Sequence, residues 1–273
     1  MVNGAGESPD DANDWIPWYG PLAVVIGFFA SIVTGLIIVV IGHSAGSSLT
    51  NPTPAVTDFA TVAEEVGFVL SAIWVASWVA RPWPAQFGLR LPRVPLWRAA
   101  LAVIVGYGLF IVLSAIWTAV VNQSASEKYL VKDVGAHSGT IGVLASCLVL
   151  CVIAPFCEEF LFRGFIFGAL RNWRGPVVGA LITGLLFGAI HVGSAPVVDL
   201  VPLALLGVLL CGLRQLTGSI YPGIALHSLN NAVALVVNAD WSFAAFVAVL
   251  IGSFALITLL LMLGQRSLRL RLV

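Results

Sequence analysis

Charge is scarce in this chain. The 273 residues include 13 basic and 13 acidic side chains, 10% of the total, where a soluble domain carries roughly a quarter. With 59% hydrophobic residues and a mean hydropathy of +1.01, that shortage excludes a soluble fold and implies an integral membrane protein. The two signs cancel, so there is no basic surface to offer a nucleic acid. Cysteine is nearly as sparse. Cys147, Cys151, Cys157 and Cys211 all lie in apolar segments without Cys-x-x-Cys or Cys/His zinc spacing, which argues against a disulfide framework and leaves them as small packing residues. Residues 1–18 carry Glu7, Asp10, Asp11 and Asp14 but no Lys or Arg. That excludes a signal-peptide n-region, so the first apolar segment is expected to stay as an anchor. No internal repeat is visible, which counts against a duplicated transporter architecture.

Long apolar runs are what the chain does have. Marking runs near the ~20 residues needed to span hydrocarbon gives about eight candidate helices: 19–42, 59–80, 99–121, 140–170, 176–192, 198–213, 218–237 and 241–264. The expected fold is an all-α, polytopic membrane protein. It comprises an acidic tail (1–18), one helical membrane domain (19–264) and an Arg-rich tail (265–273). The fifth and sixth runs are short and flanked by Gly and Pro, leaving a tilted or re-entrant arrangement open there.

The basic residues orient the chain. With a cytoplasmic N-terminus, alternation puts Arg81, Arg90, Arg93, Arg98, Arg171, Arg174, Arg214, Arg266, Arg269 and Arg271 inside, against Lys128 and Lys132 outside, as the positive-inside rule requires. Both tails are then cytoplasmic, and the expected location is a bacterial inner or plasma membrane. The terminal arginines suit contact with anionic headgroups. Trp15, Trp18, Trp83, Trp97, Trp173 and Trp241 fall at segment ends and read as interfacial anchors. His43 and His137 fall in loops and read as solvated.

Glu158-Glu159-x-x-x-Arg163 interrupts one of the most apolar stretches. An ionised side chain at mid-bilayer costs roughly 2.5–3.5 kcal/mol on insertion scales, so three there point to function. Glu159 and Arg163, at i and i+4, share a helix face and can pair, while Glu158 points about 100° away. A carboxylate left free in a low-dielectric site is suited to act as general base on water. Glu64-Glu65 is also a pair, but no Arg follows at the matching spacing and it lies near a helix end; it reads as an interfacial flank.

Two histidines join the glutamates. His191 ends Phe187-Gly188-Ala189-Ile190-His191, and His227 shares a face with Asn231, four residues on. Counted at ~1.5 Å per residue from the cytoplasmic ends, Glu158, His191 and His227 lie about 18, 22 and 14 Å deep. Three helices thus bring carboxylates, imidazoles and a carboxamide to similar depth, the groups needed to activate water and stabilise an oxyanion. Glu159, His191 and His227 are also an N/O donor set that could hold zinc with one position open. Metal-free chemistry stays equally open, since no His-Glu-x-x-His is present.

These three motifs, in order on separate apolar helices, resemble the CAAX-processing and bacteriocin-processing (ABI) family of intramembrane proteases, relatives of the type II CAAX prenyl endopeptidases. The likeness covers about 75 residues within a core of 140–237, with a weaker echo in Phe87-Gly88-Leu89-Arg90. It implies that Glu158 activates water with help from His191, that Arg163 holds Glu159, and that His227 and Asn231 donate to the oxyanion. It implies a membrane-associated or lipidated peptide as substrate. Two other readings stand beside it: a non-catalytic bacteriocin-immunity or scaffold protein, and a proton- or cation-coupled transporter using the same groups as a relay.

Overall fold

A computed structural model describes residues 14–122, 139–239 and 241–270, with backbone alone for Asn238 and 260–270. Glu7, Asp10, Asp11, Lys128, Lys132, His137 and Arg271 lie outside the described residues, as do the side chains of Arg266 and Arg269. The regular structure described is helical. α1 (Tyr19–Ser44) and α2 (Pro54–Ala76) form a hairpin, followed by α3 (Leu96–Val121). A 51-residue helical run, Gly139–Ala189, comes next. It consists of α4 (Gly139–Leu148), a π turn at Val149–Ile153, α5 (Ala154–Glu159), a second π turn at Phe160–Ile166, and α6 (Phe167–Ala189). A 3₁₀ turn, Val197–Asp199, opens α7 (Leu200–Thr217), and α8 (Tyr221–Asn238) and α9 (Phe243–Leu270) complete the chain.

Five helical stretches among the described residues are long and apolar enough to cross a membrane: α1, α2, α3, Gly139–Ala189 and Val197–Thr217. The difference from eight apolar runs has identifiable causes. A straight helix of 51 residues would be roughly 76 Å long, more than twice the ~30 Å of hydrocarbon. This one breaks at Gly175 (φ 82°, ψ 170°), because Pro176 drives the preceding residue out of helical ψ and only glycine takes that φ without strain. Across the break Gly179 lies so close to the Arg171 backbone that an added Cβ would come within 2.9 Å of its nitrogen. The fourth and fifth runs are therefore two limbs of one element. α8 carries His227, Ser228, Asn230 and Asn231 and lacks the hydropathy of a free-standing span. It begins at Tyr221 rather than 218, because Gly218 (φ 68°) is the left-handed cap of α7.

Sequence also explains the first π turn. Pro155 has no N–H to give the Cys151 carbonyl, and its ring crowds that carbonyl, so the ladder widens one turn earlier. The carbonyls released are satisfied from α8: Ser228 Oγ donates to Cys151 O at 2.5 Å and Asn231 Nδ2 to Leu150 O at 2.9 Å.

The largest buried core surrounds the second π turn, where Phe160, Leu161, Phe162, Phe165 and Ile166 meet Phe68, Ala72 and Val75 of α2, with Ala23 and Val24 of α1 behind. Phe87 stacks on Phe160 at 4.4 Å, and Gly164 lets the Phe87 backbone approach so closely that a Cβ would meet its carbonyl at 2.9 Å. Trp15 packs edge-on to Phe165 and is only 5% exposed. It is a core residue rather than the interfacial anchor expected, whereas Trp18, Trp83 and Trp97 are 63–65% exposed. His43 occupies the exposed last turn of α1, its Nδ1 bonded to Ser47 O at 2.9 Å.

Several arginine-bearing segments gather at one end of the bundle. Arg93 N donates to Thr217 O, Ser219 Oγ to Arg90 O, and Ile220 N to Gly88 O. Arg171 Nη1 reaches Gln215 Oε1, and Trp18 packs on Trp173. Trp117 Nε1 donates to Val198 O, tying the far end of α3 to the start of α7.

Candidate active site

Glu158 and Glu159 close α5, and Arg163 sits inside the second π turn, all three buried. Arg163 Nη1 lies 2.8 Å from Glu159 Oε1, with both side chains fully buried. Arg163 Nη2 donates to Gly207 O on α7 at 3.2 Å, and its guanidinium stands 4.3 Å from the centre of the Phe187 ring. A buried carboxylate is tolerated only when paired and hydrogen-bonded, and here the pairing comes from the i, i+4 partner expected.

The same Glu159 oxygen also accepts from His227 Nδ1 at 3.2 Å. A carboxylate only accepts, so Nδ1 carries the hydrogen. Nε2 then faces Glu158 Oε2 at 4.0 Å, beyond hydrogen-bond length. Gly223, one turn before His227, leaves room for this contact, since a Cβ there would come within 2.5 Å of Glu159 Oε2.

His191 lies just past the end of α6, half-buried, with Nδ1 bonded to Phe187 O at 2.8 Å. The carbonyl fixes its tautomer too, leaving a lone pair on Nε2. Phe187 joins the parts: its ring lies 5.0 Å from that of His191 and 5.5 Å from that of His227, with Arg163 over its face. Glu158, Glu159, Arg163 and His227 are therefore in one cluster, and His191 reaches it across Phe187. Asn231 is turned toward the π turn, giving Leu150 O one hydrogen of its amide.

Sequence reasoning missed two residues. Ser228 satisfies the Cys151 carbonyl, for which Pro155 four residues on was the available signal. Glu65 of α2 is 5% exposed, and its carboxyl lies within hydrogen-bonding reach of that of Glu158. It is not an interfacial flank but part of the buried acidic group. The reasoning applied to Glu158, a carboxylate inside an apolar run, would have found it.

A zinc centre needs three donors converging around an open position. Among the described residues no group of three His, Cys, Asp or Glu side chains converges in that way. Of the expected donors, Glu159 is already committed to Arg163 and His227. The residues as placed do not fit the metal.

Comparison with known proteins agrees with the motifs. Residues 140–233 match the family model described as type II CAAX prenyl endopeptidase, Rce1-like, a span that contains Glu158 to Asn231. Among curated proteins, an uncharacterized 24.3 kDa protein of Escherichia coli is 30% identical over 153 residues, 55% of this chain and 66% of that protein. The UPF0177 protein YxdF of Lactococcus lactis subsp. lactis (strain IL1403) is 33% identical over 70 residues, 23% of this chain and 38% of that protein. The chain thus spans just under two thirds of the first and little more than a third of the second. No solved structure matches it.

Proposed function

We propose, from an Rce1-like segment at residues 140–233 and the acidic cluster inside it, that this protein is an intramembrane endopeptidase. It hydrolyses a peptide bond of a membrane-associated or lipidated substrate, by CAAX-type or bacteriocin-type processing. The observation that carries the reading is Glu158. It is buried beside a second glutamate paired with Arg163, and its Oε2 has no hydrogen-bond donor among the described residues and faces an imidazole 4.0 Å away. Glu158 takes a proton from water as the water oxygen bonds to the scissile carbonyl carbon, and returns that proton to the leaving amine. His191, with its free Nε2, helps to orient the water. His227 donates from Nε2 to the oxyanion when it carries a second proton, with Nδ1–H held by Glu159. Asn231 retains a second amide hydrogen for the same oxygen.

The apolar runs are read as eight spans in a bacterial cytoplasmic membrane, with the arginine-rich end and both termini in the cytoplasm. The test is mass-spectrometric detection of fragments when the detergent-purified protein meets a mixture of membrane-active, transmembrane and prenylated CAAX peptides. Wild-type protein is expected to yield fragments, and Glu158→Gln to lose about 10²–10⁴-fold in rate. A folded wild type whose fragments do not exceed those of the variant would sink the protease reading in favour of an immunity or scaffold protein.

A further inference from the structure

The proposed protease chemistry has no use for a third carboxyl, yet α2 delivers one to Glu158. Glu65 is 5% exposed and Glu158 8% exposed, and their carboxyl groups are within hydrogen-bonding reach of each other. Ionised carboxylates are acceptors only. Two of them in contact, away from water, cannot both be charged, so such a pair holds a proton. The orphaned atoms fit that requirement. Glu65 Oε2 and Glu158 Oε2 are both buried, and neither receives a donor from any other described residue.

The surrounding charges decide where the proton resides. Facing the pair are Glu64 of α2, Cys157 and Glu159 of α5, and His227 of α8. The Arg163 guanidinium, held to Glu159 at 2.8 Å, and the His227 imidazole, with Nε2 4.0 Å from Glu158 Oε2, both stand on the Glu158 side of the pair. Glu65 has Glu64 and Glu158 as its acidic neighbours, and the proton is assigned to Glu65. We propose that Glu65 is a positioning residue, the protonated member of a Glu65–Glu158 carboxyl pair, which donates its hydrogen bond to Glu158 and fixes the direction in which that carboxylate meets water. This rests on the protease reading. During the reaction the proton from water moves to Glu158 and on to the leaving amine, while Glu65 keeps its own throughout.

Two measurements test the proposal. Infrared spectra of the purified wild type at neutral pH, minus those of Glu65→Gln, are expected to show the C=O band of a protonated carboxylic acid, with its shift in D2O. A difference spectrum without that band overturns the proposal, whatever any peptide does. In the peptide mixture, Glu65→Gln keeps an N–H to donate and is expected to stay within about threefold of wild-type kcat. Glu65→Leu, with no donor, is expected to fall about 10²-fold in kcat at little-changed KM, the scale of a misaligned catalytic group. A Leu variant as active as wild type, or a Gln variant as damaged as a folded Leu variant, also overturns it. If the infrared band behaves as expected but wild type cleaves nothing, the carboxyl pair stands and it is the protease reading that fails.

Discussion

At the scale of single residues, Arg163 links α5, α6 and α7. It is fully buried, pairs with Glu159 at 2.8 Å, donates to Gly207 O and covers Phe187. Arg163→Met would leave Glu159 as a buried charge with His227 as its remaining partner among the described residues, at 3.2 Å, and breaking a buried pair from one side costs about 3–5 kcal/mol. A thermal melt of the detergent-purified variant is expected to drop accordingly. Glu159→Gln added to Arg163→Met should recover part of the loss, because the stranded charge goes with it. A double variant as unstable as the single would mean that the guanidinium acts mainly through Gly207 and Phe187. Arg163→Lys is not conservative here, since one ammonium cannot present a flat face to Phe187 while bonding two oxygens in different directions.

Between the residue and the bundle stand two widened turns, and the first links stability to the site. Pro155 deprives Cys151 O of its helical donor, and Ser228 supplies the replacement from α8 at 2.5 Å. Ser228→Ala would leave a buried carbonyl unsatisfied, at a cost of about 1–3 kcal/mol, read as lowered thermal stability. Pro155→Ala placed on top restores an N–H and is expected to return part of that stability. It should do so without restoring full activity, because the register of Glu158 and Glu159 depends on the bulge. Full recovery of both would mean that the bulge merely accommodates proline. None of this was legible from hydropathy, because a π turn changes the hydrogen-bond register without disturbing the apolar pattern. The spans themselves were legible in outline, since apolar length and the Gly175-Pro176 break are local properties of the chain. The i, i+4 pairing of Glu159 with Arg163 was legible for the same reason. Glu65 and the burial of Trp15 were not, because both depend on which helix packs against which.

For the whole molecule, one consequence of the fold can be tested without a substrate. The contacts that place Arg90, Arg93 and Arg171 beside the α7–α8 turn, and Trp18 beside Trp173, put several separate basic segments at one end of the bundle. Their common sidedness therefore does not depend on counting spans. In the proposed orientation that end is cytoplasmic, and Lys128 and Lys132, which follow α3 in the sequence, belong to the opposite face. A cysteine introduced as Lys128→Cys is expected to react with a membrane-impermeant maleimide on intact spheroplasts. One introduced as Arg174→Cys should react only after the membrane is opened. The native cysteines are a small background, since Cys151, Cys157 and Cys211 are buried and Cys147 lies within an apolar helix. The reverse labelling pattern would overturn the orientation, and labelling of both positions from the same side would contradict an odd number of crossings between them.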